Sequence, residues 1–550
     1  MSLPTVHDTR FCGQGRHRRL FGQTLLRASV ILALAATAGC AKVQGVLDNR
    51  VSGYAKGFGG AVAADEPQAV LVARDILAAG GSAADAVIAA YFTMSVTLPT
   101  AASLGAGGVC IVHDRARSVA EALDFTHLAS GPFARRPAPI APRAMQALHA
   151  KYGHLPWTQL LGPAEGLARL GYPASRALAR SLAAAPGIAV RDPALAAIFA
   201  RNSGNPVAEG ERVQQFALAA TLSQLRRQPT QFYTGSSARR IADDFTRSGM
   251  LLTAEELRGL VPRFRPVVTV SRGNQVAHFP PTAAGVVSAQ AWALLYNRNL
   301  ASDALGAKRA LTLTEVSRRA YGDAGRWFAT PAGVPDPVDA FVAEGRIDRL
   351  MVGLNLSRRS PPPNFGAGDV VEPVDLGSAS VVASDVYGQS VACGFTMNGI
   401  MGAGRIAAET GIVMAAPPDP ARAAAPVSLM ILRNGTQHQM QFVGAATGGA
   451  VAPILLADTA AKVLQTTQSL ETMLSAPRFY HPARPDRVVV EDRHDARPFG
   501  ANLREAGYQV VTAPSLGRAN AIACPLGLDG ERSQCDARAD RRAFGLAQQN

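Results

Sequence analysis

"GSASVVASDVYGQSVACGFTMNG" (377–399) reads as two short strands joined by a tight turn. Small and β-branched residues run through 378–384, and "DVYG" supplies the turn, closed by Gly388. A period of two puts Ser378, Ser380 and Ser384 on one face and Ala379, Val381 and Ala383 on the other. Hairpin register follows from the turn, so each position of the first strand can be counted back from Gly388. Gly377, just in front, tolerates backbone conformations closed to other residues. Ser378 is then either the first polar residue of an ordinary strand or a hydroxyl set beside a breakable bond, and the hairpin accommodates both.

The segment before it, "GLNLSRRSPPPNFGAGDVVEPVDL" (353–376), is rich in Pro, Gly and Ser and has no periodicity. Such exposed stretches are where chains are cut or tolerate cutting. Further upstream, "AVAAD" is strand-like. "EPQAVLVARDILAAGGSAADAVIAAYFTMSVTLP" then places apolar residues every three to four positions on both sides of Gly80 and Gly81. That pattern predicts a helix, a glycine stop and a second helix capped by Ser82 with Asp85 nearby. "SLGAGGVCIVHD" is a glycine-rich turn into a buried strand and lacks the phosphate-loop pattern. Residues 143–260 are helical and Ala-rich, and "SRGNQVAHFPPTAAG" is a strand running into a Pro-Pro turn. After the hairpin come strands in "SLMILRNGTQHQMQFVGAA", a helix in "APILLADTAAKVLQ", then "DRVVVED" and a terminal hairpin. Helices, then strands with helices between them, predict an α+β layered fold.

At 550 residues with 48% hydrophobic and 17% charged content, the chain can bury a large core. Its first forty residues differ: Arg16, Arg18, Arg19 and Arg27 precede "ASVILALAATAG", which stops at Cys40. The apolar run is too short to span a bilayer and predicts a secretion signal over 1–39. "TAGC" resembles a lipoprotein signal with Cys40 lipidated, Ala41 lacks the Asp of inner-membrane retention, and "RRLF" weakly resembles a twin-arginine signal. These features place the protein in the bacterial cell envelope, on the periplasmic face, as an outer-membrane lipoprotein. The formal charge of +14 falls to about +10 without the leader, and the remaining Arg residues are scattered. No nucleic-acid partner is expected from that pattern. Cys524 and Cys535 bracket a Gly- and Pro-bearing loop and predict a disulfide, whereas Cys110 and Cys393 receive no assignment. No metal and no cofactor are expected.

Taken in order, "GGSAADAVIAAYFTMSVTLPTAASLGAGGV", "YGHLPWTQLL", "FYTGSSARRIADDFTRSGMLLTAEEL", "APRFYHPARPDRVVVE" and "CDARADRRAFG" resemble the gamma-glutamyltransferase family of N-terminal nucleophile hydrolases. The resemblance implies a four-layer αββα sandwich. It also implies a precursor that cuts itself into a large part (40–377) and a small part (378–550), the two together forming one domain as a heterodimer of its own pieces. In that family the new N-terminal Thr attacks a γ-glutamyl amide. Counting ten residues back from Gly388 places Ser378 at that position, with Gly377 before the cut. A competing alignment on "SVV" (380–382) needs a two-residue insertion and places Leu376 there, which could attack nothing.

On the ungapped count the resemblance assigns Thr396 to support the hydroxyl, Asn398 to contact substrate, and Gly448 and Gly449 to hold the oxyanion. An N-terminal nucleophile carries its own base, an α-amine with a reference pKa of about 7.7–8.0. Substrate recognition departs from the family. Thr126 of "DFTH" stands where the family has Arg, "AAPPDP" (415–420) replaces an amine-holding acidic segment and keeps only Asp419, and "SLM" keeps Ser428 but not its neighbour. Two functions follow: an amide hydrolase or acyltransferase with altered acyl recognition, acting on a small-molecule or peptide amide, or an inactive family member serving as an envelope binding or scaffold lipoprotein.

Overall fold

In the computed structural model, residues 59–127, 137–201, 204–297, 299–300, 306–324, 337–361, 377–418, 427–466 and 468–549 are described. The leader, Cys40, Leu376 and Asp419 lie outside them. The sheet strands, in chain order, are β1 (Gly60–Ala64), β2 (Gly107–Asp114), β3 (Val119–Phe125), β4 (Arg263–Pro266), β5 (Val268–Arg272), β6 (Gln275–Phe279) and β7 (Ser378–Asp385). They continue with β8 (Gln389–Thr396), β9 (Ser428–Asn434), β10 (Met440–Thr447), β11 (Arg518–Ala523), β12 (Asp536–Ala539) and β13 (Leu546–Gln549). One sheet has the order β13-β1-β7-β8-β2-β3-β4 and the other β12-β11-β10-β9-β6-β5.

Three apolar cores define the layers. Against the outer face of the first sheet lie α1 (Pro67–Ala78) and α2 (Ala83–Thr97), where Ala379, Val381 and Ala383 join Ala86, Val87 and Tyr91. Against the outer face of the second lie α3 (Ala283–Trp292), α4 (Ala307–Ala324) and α5 (Ala452–Gln465). Between the sheets, Val109, Ile111, Val382 and Ala392 meet Leu429, Ile431 and Val443. The expected αββα sandwich is therefore present, and the alternation along 378–384 is the reason: odd residues feed the helical core, even residues the inter-sheet core.

The hairpin register is continuous, running from Ser384 opposite Ser390 to Ser378 opposite Thr396 without a bulge. Gly388 closes the turn at φ +90°. Its neighbours fix the hairpin to α2. Asp385 accepts the Ala83 N–H at 2.8 Å and Gln389 accepts the Ala84 N–H at 2.9 Å, satisfying amides that a helix start leaves unpaired. The predicted Ser82 cap forms a full capping box with Asp85.

Disulfides join Cys524 to Cys535, as the loop between them predicts, and Cys110 to Cys393, directly opposite each other on β2 and β8. The second pair escaped the sequence because 283 residues separate its members. The expected terminal hairpin is β11–β12; one strand more, β13, crosses to the first sheet and pairs with β1. Among the described residues no helix is long and apolar enough to cross a membrane.

Candidate active site

Ser378 opens β7 on the inter-sheet face and is 3% exposed. It lies in a row across three strands, opposite Thr396 on β8, which in turn lies opposite Gly107 on β2. In front of it Gly377 adopts φ +60°, where a side chain is disfavoured. A Cβ there would stand 2.2 Å from the Gly399 carbonyl oxygen and 2.7 Å from that of Thr100. The Gly377 carbonyl accepts the Met397 N–H at 2.9 Å. The bond between Gly377 and Ser378 is thus held in a tight backbone cradle that only glycine fits.

Past β8 the chain doubles back on itself. Thr396 Oγ1 accepts the Asn398 N–H at 2.9 Å, and Asn398 sits at φ +56°, a conformation Asn tolerates better than most residues. Asn398 Nδ2 donates to the Ala416 carbonyl at 3.0 Å and reaches His127 Nδ1 at 3.4 Å. The Ala416 carbonyl can only accept, so the orientation of the amide is settled and Nδ1 of His127 accepts. Burial pushes the imidazole of His127 down to about 4, leaving it neutral. Sequence reasoning passed over His127 because "DFTH" drew attention to Thr126; the signal was its place one residue further on, just past the end of β3 and against Gly107.

The second sheet contributes from the other side. Arg518 on β11 donates to the Ser378 carbonyl oxygen and faces the Asp65 carboxylate at 3.6 Å. Asp65 also accepts the Ser380 N–H at 2.8 Å and Asn520 Nδ2 at 2.8 Å, and Asn520 donates to Ser380 Oγ at 2.9 Å. Burial pushes the Asp65 carboxyl up, against the opposing pull of Arg518 and the Asn520 hydrogen bond. None of these three residues was singled out from sequence, since nothing local marks Asp65 and Asn520 as partners 455 positions apart.

Gly448 (φ +94°) and Gly449 (φ +95°) follow β10. A Cβ on Gly448 would stand 2.6 Å from Gly517 Cα, so Gly448 packs against the segment that carries Arg518. Buried Arg478 donates to the Leu516 and Gly517 carbonyls at 2.9 and 2.7 Å and pairs with Asp540, whose carboxylate accepts the Ala519 N–H at 3.1 Å. The "APRFYHPARPD" and "DARADRRAFG" motifs therefore lock this segment in place. Ser378, Thr396, Asn398 and the paired glycines are gathered at one end of the inter-sheet layer.

The sequence profile of the gamma-glutamyltranspeptidase family matches residues 69–136, 137–419 and 420–548. The chain belongs to that family. The glutathione hydrolase proenzyme of Escherichia coli (strain K12) is 26% identical over 529 residues, covering 86% of this chain and 89% of its own length. The acylase ACY 1 proenzyme of Pseudomonas sp. (strain SE83) is 27% identical over 64% of this chain and 67% of its own. The cephalosporin acylase of Bacillus halodurans shares the fold, with a TM-score of 0.74 and 20% identity over 90% of this chain and 96% of its own. As a gamma-glutamyltranspeptidase-family protein, the chain is one of a group of hydrolases and acyltransferases.

At the positions where the resemblance expects acyl recognition, the side chains present are bonded within the protein or apolar. Thr126 turns back, its hydroxyl and N–H both bonded to Asp124 at 2.8 and 3.0 Å. Ser428 is fully buried and shares its hydrogen with Ser288 of α3, in the helical layer. The 415–418 segment is pinned by the Ala416 N–H to the Met397 carbonyl at 2.8 Å and presents Ala and Pro side chains.

Proposed function

We propose that the protein is a self-processing amide hydrolase or acyltransferase with Ser378 as nucleophile and an acyl preference other than γ-glutamyl. The observation that carries this reading is the row that sets Ser378 opposite Thr396 behind a left-handed Gly377 whose carbonyl is held by the Met397 N–H. In the first reaction Ser378 Oγ attacks the Gly377 carbonyl carbon, and the peptide C–N bond breaks as the nitrogen takes a proton. Water then hydrolyses the resulting ester, releasing the Gly377 carboxylate and a free α-amine on Ser378. The Met397 N–H stands where charge develops on the Gly377 oxygen.

In the second reaction the α-amine takes the proton of Ser378 Oγ as the oxygen attacks a substrate amide carbonyl. That proton passes to the leaving amine, and water or a second amine resolves the acyl ester. Backbone N–H groups at Gly448 and Gly449 would receive the oxyanion, with Thr396 supporting the hydroxyl and Asn398 contacting substrate. A γ-glutamyl group carries an α-carboxylate and an α-ammonium. Thr126 and Ser428 are bonded internally and Ala416–Pro417 is apolar, which favours an acyl group without those two charges. Lipidation at Cys40 and anchoring at the periplasmic face of the outer membrane complete the reading.

The test is intact mass and N-terminal sequencing of the protein from its native envelope. The expected result is a small piece beginning at Ser378 and a large piece beginning at a lipid-modified Cys40, with both the cut and amide hydrolysis lost in Ser378→Ala. A single chain, identical in wild type and Ser378→Ala and inactive on acyl amides, overturns catalysis and leaves a binding or scaffold protein.

A further inference from the structure

The inter-sheet layer has a second polar end, six strand positions from the first: Ser384, Ser390 and His113 against Ser378, Thr396 and Gly107. There His113 follows Val109 and Ile111 on the inward face of β2, 1% exposed, with neither ring nitrogen hydrogen-bonded. Ser390 lies opposite it, and the Ser390 and Ser384 hydroxyls bond to each other at 2.9 Å. From the second sheet come His278 on β6, Arg433 on β9 and His438 in the β9–β10 turn. Arg433 Nε reaches His278 Nε2 at 3.1 Å, and its Nη1 reaches His438 Nδ1 at 2.8 Å and the Asn434 carbonyl at 3.1 Å.

A guanidinium only donates, so His278 Nε2 and His438 Nδ1 accept. His278 then carries its proton on Nδ1, facing Thr269 Oγ1 at 3.2 Å, and His438 carries its own on Nε2. Among the described residues Arg433 forms no ion pair, while Asp114 pairs with Arg117 at 3.6 Å and Asp529 with Arg115 at 3.1 Å. Burial, and after it His278, Arg433, His438 and Arg115, disfavour a charge on His113. Here a half-buried cation without a counter-ion lies beside a buried imidazole without a partner. Unpaired buried charge and unsatisfied buried donors are each unfavourable, and one ligand would relieve both.

We propose that His113, Arg433 and His438 form a binding site for a small oxyanion, independent of the Ser378 site. The oxygens would take the remaining guanidinium N–H groups, His438 Nε2–H and a His113 N–H. The probe is inorganic phosphate, titrated against the full Ser378→Ala chain at pH 6 with ionic strength held constant by chloride. The thermal midpoint should rise by about 1–2 °C for each tenfold increase in phosphate above the dissociation constant. Arg433→Gln should abolish the rise while keeping a cooperative transition in chloride. Should that variant not fold, His113→Gln, which keeps the volume and a neutral side chain, should reduce the rise at least severalfold. A wild-type midpoint indifferent to phosphate, or the same rise in the folded variants, overturns the site.

A separate observation concerns the Cys110–Cys393 bond, which joins residues on either side of Gly377–Ser378. We infer that the two pieces of the cut protein remain one covalent molecule; this rests on the self-processing reading. On a denaturing gel the wild type should give two bands with reductant and one without. Two bands under both conditions overturn the tether and leave cutting intact, whereas one band under both overturns cutting. Non-reducing peptide mapping tests the bond by itself, by finding or failing to find the Cys110 and Cys393 peptides joined.

Discussion

The two ends of β7 differ in how their charges are matched. At the Ser378 end, each charge has a partner: Asp65 faces Arg518, Asn520 ties Asp65 to Ser380, and Asn398 spans Ala416 and His127. At the Ser384 end, Arg433 has imidazoles but no acid, and His113 has nothing. The same sheet, with the same alternation, therefore carries one end where geometry is over-determined and one where a charge is left open. The first is the arrangement needed to hold a reacting bond still. The second is the arrangement of a site awaiting a ligand.

The sharpest way to break this contrast is to loosen the determined end. Gly377→Ala adds a methyl 2.2 Å from the Gly399 carbonyl oxygen, at a φ of +60° that alone costs about 1–2 kcal/mol in a non-glycine residue. Both obstructing atoms are backbone, and the Thr100 carbonyl is itself held by the Met401 N–H at 2.9 Å, so neither yields easily. The Gly377 carbonyl should move off the Met397 N–H. We expect cutting to slow at least tenfold, read as the fraction of two-chain protein against time, with little change at the Ser384 end in the phosphate titration. Cutting at the wild-type rate would show that the left-handed cradle plays no part in placing the bond.

Legibility in the sequence divides along the same line. The hairpin and the two helices around Gly80–Gly81 were readable because local rules decide them: a period of two, a period of three to four, a capping box and a glycine turn; the αββα layer order came from the family resemblance. Counting back from Gly388 singled out Ser378, and in the structure the unbulged antiparallel register sets that residue opposite Thr396. Asp65, Arg518, Asn520, His127 and the Cys110–Cys393 pair were not readable. Each takes its meaning from a partner hundreds of residues away or on the facing sheet, and no local pattern announces it. His113 and Arg433 belong to the same class: on their own strands they are merely polar residues at the end of an apolar run.

The smallest expected effect, and the one that sharpens the comparison most, is the acid sensitivity of the open end. Burial pushes His113 and His278 down from 6.5 to about 3, with Arg433 adding to the shift in both. Between those values the unfolded chain takes up a proton that the folded chain refuses, so stability falls as pH falls, by about 1.4 kcal/mol per pH unit for each ring. Asp385, pushed up to about 6 by burial, acts in the opposite direction over part of the range, since a raised carboxyl favours the folded state as pH drops. The wild-type slope alone therefore mixes terms, and the informative quantity is a difference. His113→Gln removes one titrating ring while leaving Asp385, His278 and the Ser378 end in place. Urea unfolding at pH 6, 5 and 4 on the Ser378→Ala background should show a slope shallower by about 1.4 kcal/mol per unit in the variant. Phosphate should flatten the wild-type slope in the same direction, because an oxyanion between Arg433 and His113 lets the ring accept a proton in the folded state. Equal slopes in wild type and His113→Gln would mean that His113 is solvated enough to titrate freely, and the contrast between the two ends would lose its electrostatic basis.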